Sequence, residues 1–113
     1  MRKDPKIFLD DMIYSIERIE EMATGLSGKE FRCNMEKQDA IIRRLSVIGE
    51  ATNNLPKDLK EKYTGIEWRK IINMRNFLIH EYFEIDLELV WDTVKDDLPK
   101  LRAELVKIRK ESG

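Results

Sequence analysis

W-R-K-I-I-N-M-R-N-F-L-I-H-E-Y-F, residues 68–83, decides how the rest of the chain is read. It holds the only histidine, His80, with Arg75 five positions before it and Tyr82 two after. The stretch lacks Gly and Pro and is dense in apolar residues, which predicts a central buried helix. On a helical wheel of about 100° per residue, Ile71, Met74, Phe77 and Leu78 share one arc and form a core face. Arg75, Asn76, Asn73, His80 and Tyr82 lie opposite, with Ile72, Ile79 and Phe83 among them. Polar groups withdrawn from water need partners or a cleft. A face mixing Arg, Asn, His and Tyr with isoleucine and phenylalanine therefore predicts contact with another chain around a polar cleft. Arg75 and His80 stand about 140° apart on an ideal helix. They need not converge in one monomer, but a two-fold axis would bring each in twice.

Working outward, four segments have helical spacing. Asp4-Pro5 offers an N-cap followed by proline at the first helical position, opening a helix over about 5–24. Its stripes are Leu9, Ile13 and Ile16, beside Phe8, Met12, Ile19 and Met22. Ser27 and Glu30 have capping-box spacing, which predicts a short helical turn carrying Phe31. Asn34 then opens a second long helix with the stripe Ile41, Leu45, Ile48, Thr52 and Leu55, ended at Pro56. A short turn runs on towards Tyr63, and Thr64-Gly65 breaks the chain again. Asp86 is the expected N-cap of a last helix that buries Leu87, Trp91, Val94, Leu98, Leu101, Leu105 and Ile108. The stripe keeps its phase through Pro99, which predicts a kink there and no reversal. No strand-like alternation persists, so the fold class is all-α, with four main helices and one extra short helical turn.

Composition bounds the function. The 113 residues make one expected domain, 1–113, with a modest core. Charged residues are 38% of the chain, yet the formal net charge is −1. That balance excludes a non-specific nucleic-acid coat protein, which would be strongly basic. Cys33 is alone, so no intrachain disulfide can form. There is no apolar run of membrane-spanning length and no signal-peptide pattern, so no membrane association is expected and a cytoplasmic location is. One His and one Cys in different segments make no metal cage, and the scattered glycines make no phosphate loop; no cofactor is expected.

From the residues alone, His80 reads equally as a histidine bonded in a helix interface or as a proton carrier. Arg75 reads as a phosphate donor or as an ion-pair former. Asn76, four residues before His80, shares its face and could orient the ring or a phosphate. Glu50 could hold Arg44 or Arg75. Arg43, Arg44, Arg69 and Lys70 are either cleft cations or ordinary surface residues.

The segment R-N-F-L-I-H-E-Y, Arg75 to Tyr82, fits the R-x4-H-x-Y signature of HEPN-domain proteins. More narrowly, it resembles the HepT-type toxins paired with a minimal nucleotidyltransferase antitoxin. The resemblance extends to D-A-I-I-R-R-L-S-V-I-G-E-A (Asp39 to Ala51), W-R-K-I-I-N-M-R-N (Trp68 to Asn76) and V-W-D-T-V-K-D-D-L-P (Val90 to Pro99). Many members have proline before the W-R pair; here Glu67 stands there, which touches a helix start and not the chemistry.

The resemblance implies an antiparallel bundle of four helices and a homodimer with an RNA-cleaving cleft between the copies. It implies catalytic roles for Arg75 and His80, with Asn76 placed in support by its position on the His80 face. It also implies a cognate nucleotidyltransferase that attaches AMP to Tyr82, as in type VII toxin–antitoxin pairs. The function expected is thus a metal-independent endoribonuclease acting on an RNA substrate. A non-catalytic HEPN module that binds nucleotide or a nucleotidyltransferase partner is the alternative, and a purely structural helical dimer a weaker third reading.

Overall fold

A computed structural model describes residues 4–80 and 85–112, without the side chains of Ile79 and His80. Among the described residues every regular element is helical. Helix α1, Pro5–Ala23, starts where the Asp4 carboxylate accepts from the Lys6 N–H at 2.9 Å, with Pro5 just inside. It buries Leu9, Met12, Ile16 and Ile19 completely. Helix α2, Gly28–Cys33, opens on a reciprocal capping box between Ser27 and Glu30. Its one fully buried side chain, Phe31, stacks on Trp91 with ring centroids 4.9 Å apart.

Helix α3, Met35–Asn54, is capped by the Asn34 side chain, which accepts from the Lys37 N–H at 3.0 Å. Ile41, Leu45, Ile48, Thr52 and the following Leu55 are all buried, the stripe its spacing predicts. Thr52 is a polar member of that stripe, and its hydroxyl donates to the Ile48 carbonyl at 2.7 Å. Pro56 separates α3 from α4, Lys57–Lys62. Helix α5, Trp68–His80, follows, its first residue anchored by an indole N–H that donates to the Tyr63 carbonyl at 2.9 Å.

Asp86 caps α6, Leu87–Asp92, accepting from Glu88 and Leu89 N–H groups. A π-helical segment, Thr93–Asp97, joins it to α7, Leu98–Glu111. The irregularity expected at Pro99 therefore falls just before it. Proline has no N–H to return to the preceding turn, and its ring presses on the carbonyl four residues back. The widened turn, in which the Leu98 N–H reaches five residues back to the Thr93 carbonyl, leaves Pro99 in the tolerant first turn of α7. Of the stripe that the spacing predicts, Val94, Leu98, Leu105 and Ile108 are buried, while Leu87, Trp91 and Leu101 are half-buried against the core and Val90 is buried beside them.

The core lies where α1 meets α3 and α7. Helix α5 packs chiefly on α3, at the outside of this core. The sequence reading of α5 as a buried central helix needs correction. Only Trp68 and Leu78 are buried among its described side chains; Ile71, Met74 and Phe77 are half-buried and pack against the core. A wheel finds the apolar arc but not how deeply one chain covers it. Among the described residues no helix is long and apolar enough to cross a membrane.

Candidate functional site

The site is built where α5 crosses α3. Gly49 lies directly beneath Arg75: a Cβ added there would fall 2.1 Å from Arg75 Cβ and 3.3 Å from its Cα. Real Cβ atoms do not come so close, so glycine is what lets the two backbones approach here. The next residue, Glu50, pairs with the arginine, its Oε2 lying 2.6 Å from Arg75 Nη2. Arg75 Nη1 donates to Asn76 Oδ1 at 2.9 Å. The buried Arg75 Nε–H has no hydrogen-bond partner among the described residues. The Arg75 side chain is 27% exposed and that of Glu50 54%, so the guanidinium is held at a surface with donors still available.

That surface is the wall of an open groove of about 850 Å³. Gln38, Asp39, Ile42, Arg43, Ser46 and Val47 of α3 line it with Glu50, Arg75 and Leu78; Ile85 and Leu87 form its far end. The groove mixes apolar and polar groups, but from α5 it takes only Arg75 of the predicted mixed face, together with Leu78 of the predicted core face. Asn73 and Asn76 are exposed and Ile72 is half-buried.

Arg75 and Asn76 are thus brought together. His80 is the last described residue of α5, and its side chain lies outside the described residues, as do Glu81, Tyr82, Phe83 and Glu84, where the sequence predicts a connector. Of the other basic candidates only Arg43 joins Arg75 in the groove. The Arg44 guanidinium sits 5.4 Å from the Tyr14 ring centroid. Arg69 is exposed. Lys70 pairs with Glu67 at 3.6 Å and Asp97 at 3.8 Å, beside a separate cavity of about 360 Å³ between α3, α5 and α7. The choice left open for Glu50 resolves towards Arg75, because Arg44 is engaged with Tyr14.

Gly49 and Glu50 are the neighbours of Arg75 that the sequence left unassigned. Their signal was the G-E-A block inside an otherwise periodic helix, where an interior glycine marks close backbone approach. Among the described residues no group of three or more His, Cys, Asp or Glu is arranged to hold a metal ion. Chemically, the groove offers a fixed guanidinium that can take an anion.

The family model described as "Ribonuclease HepT-like" matches residues 12–108. A Methanocaldococcus jannaschii protein named "Gamma-glutamylcyclotransferase and putative RNase" is 47% identical over 111 residues, 98% of this chain and 50% of that protein. The chain therefore spans half the length of that relative. A Thermococcus cleftensis protein named "Probable ribonuclease HepT" is 41% identical over 110 residues, 97% of this chain and all of that protein. A "Putative RNase" of Caldanaerobacter subterraneus is 34% identical over 106 residues, 94% of this chain and 95% of that protein. No solved structure matches the chain. A match over nearly the full length, on an all-helical fold, identifies this chain as a member of the HepT-like ribonuclease family.

Proposed function

We propose that the chain is a metal-independent endoribonuclease, the toxin of a type VII-like toxin–antitoxin pair acting in the cytoplasm. The observation that carries this reading is Arg75, held at the groove by Glu50 on the helix that ends in His80, within a family of ribonucleases. RNA brings its own nucleophile, the 2′-OH. A base takes the 2′-OH proton, the 2′-oxygen bonds to phosphorus, and the bond from phosphorus to the 5′-oxygen breaks. An acid protonates that leaving oxygen, giving a 2′,3′-cyclic phosphate and a 5′-OH end. Arg75 supports the charge that builds on the phosphate oxygens.

One histidine does not readily serve as base and acid in the same step. A homodimer supplies two, one His80 from each copy, with two Arg75 guanidiniums on the phosphate. Asn76, already bonded to Arg75, helps orient the guanidinium or the substrate.

Tyr82 is the proposed regulatory position. It lies seven residues after Arg75 in the sequence, two helical turns by spacing alone. A cognate nucleotidyltransferase that attached AMP there would add a phosphate able to pair with Arg75 or a neighbouring cation, and bulk that excludes RNA. Incubating RNA with wild type, Arg75→Ala and His80→Ala tests the reading: only wild type should cleave. Equal cleavage by all three refutes it.

A further inference from the structure

We propose that Glu50 is a positioning residue for Arg75, fixing its guanidinium for the phosphate of a cleaved RNA. This rests on the ribonuclease reading above. The Nη2 to Oε2 separation is 2.6 Å, a charge-assisted contact at the short end of the range. The pair is half-exposed, and ion pairs so placed contribute little to stability. Its effect is on geometry. An arginine side chain has many rotamers, and ordering it before the substrate arrives removes that cost from the reaction.

Three contacts do the ordering. Gly49 receives the Arg75 stem against the α3 backbone, Glu50 takes Nη2, and Asn76 takes Nη1. One further N–H on each of Nη1 and Nη2 stays available for phosphate oxygens, while the Nε–H is buried. Among the described residues the carboxylate's ion-pair partner is Arg75, while Arg44, the other cation that Glu50 was a candidate to hold, lies over the Tyr14 ring.

The arrangement has two consequences of opposite sign. Glu50 neutralises part of the Arg75 charge and so weakens ground-state attraction for RNA. It also fixes the donor, which favours the transition state. Glu50→Gln keeps the side-chain length and an acceptor oxygen but removes the charge. Binding of an uncleavable 2′-O-methyl RNA should tighten by about 3-fold, as the Arg75 charge is no longer shared with a carboxylate and is freed for the phosphate. The kcat for the cleavable RNA should fall by about 10-fold, as a less firmly held donor meets the phosphate. Loss of a merely structural residue would depress both affinity and turnover, along with the melting temperature.

The experiment measures kcat, KM and 2′-O-methyl RNA affinity for wild type, Glu50→Gln, Arg75→Ala and the double variant, with thermal melts on all four. The expected result is tighter binding with slower turnover in Glu50→Gln, and loss of the binding gain when Arg75 is already absent. Unchanged turnover, a fall in affinity together with turnover, or an equal binding gain without Arg75 overturns the positioning role while wild-type cleavage stands. A wild type that does not cleave RNA overturns the ribonuclease reading, and this inference with it.

Discussion

Gly49 sets the terms at the scale of single residues. Replacing a mid-helix glycine with alanine ordinarily gains about 0.5–1 kcal/mol from backbone entropy. Here the added methyl would land 2.1 Å from Arg75 Cβ, and no rotamer of arginine moves its own Cβ away. Relief has to come from the α5 backbone, and overpacking of that kind costs about 1–3 kcal/mol or more. The clash wins. Gly49→Ala should lower the melting temperature, despite its better helix propensity, and should weaken RNA cleavage by displacing Arg75; calorimetry and a cleavage assay on the same preparation check both. Arg75 was picked out by a short linear motif and Asn76 by its place four residues before His80, and the two are hydrogen-bonded. Glu50 was legible only as a choice between two arginines, since a wheel drawn for α3 says nothing of what α5 lays across it. The tie-breaker was Tyr14, on a third helix.

Helical elements were more fully legible, because caps are local chemistry. Asp4, Ser27, Asn34 and Asp86 each accept backbone N–H groups at the starts where their sequence positions predict it. Removing the Ser27 cap with alanine should cost about 1 kcal/mol, read as a lower melting temperature. The same box has a pH signature. Hydrogen bonds from the Ser27 backbone, and then from its side chain, hold the Glu30 carboxyl below its ordinary pKa. A carboxylate whose pKa is depressed in the folded state stabilises above its unfolded pKa, and the contribution fades as pH falls through the folded value. Wild type should therefore lose its melting-temperature advantage over Glu30→Gln as the solution is acidified below the usual carboxylate range. An advantage that persists there would contradict the box's electrostatic role. Less legible were the π turn before Pro99, where two local demands compete, and the depth of α5, which depends on how much of it other helices cover.

Across the whole molecule, the α5 side that mixes Ile72, Ile79 and Phe83 with polar groups leads to the dimer expectation. Ile72 is half-buried on the single chain; Phe83 and the Ile79 side chain lie outside the described residues. Light scattering at micromolar concentration should report twice the chain mass. Ile79→Glu should shift the particle towards monomer and reduce cleavage in parallel, because each composite cleft needs both copies. The regulatory reading belongs to the same scale. Tyr82→Phe should cleave RNA yet escape neutralisation by the partner nucleotidyltransferase with ATP, while mass spectrometry of the co-expressed wild-type pair finds AMP on the Tyr82 peptide. AMP found instead on Tyr14 or Tyr63 would contradict that switch.

The central claim is that the groove cleaves RNA with the chain's own arginine and histidine and the RNA's own 2′-OH. End-group analysis of RNA incubated with wild type in excess EDTA, beside Arg75→Ala and His80→Ala, tests it most directly. Undiminished cleavage by wild type, with cyclic-phosphate or 3′-phosphate ends and none from either variant, is the predicted result. Cleavage that stops in EDTA and returns on adding a divalent metal would contradict it.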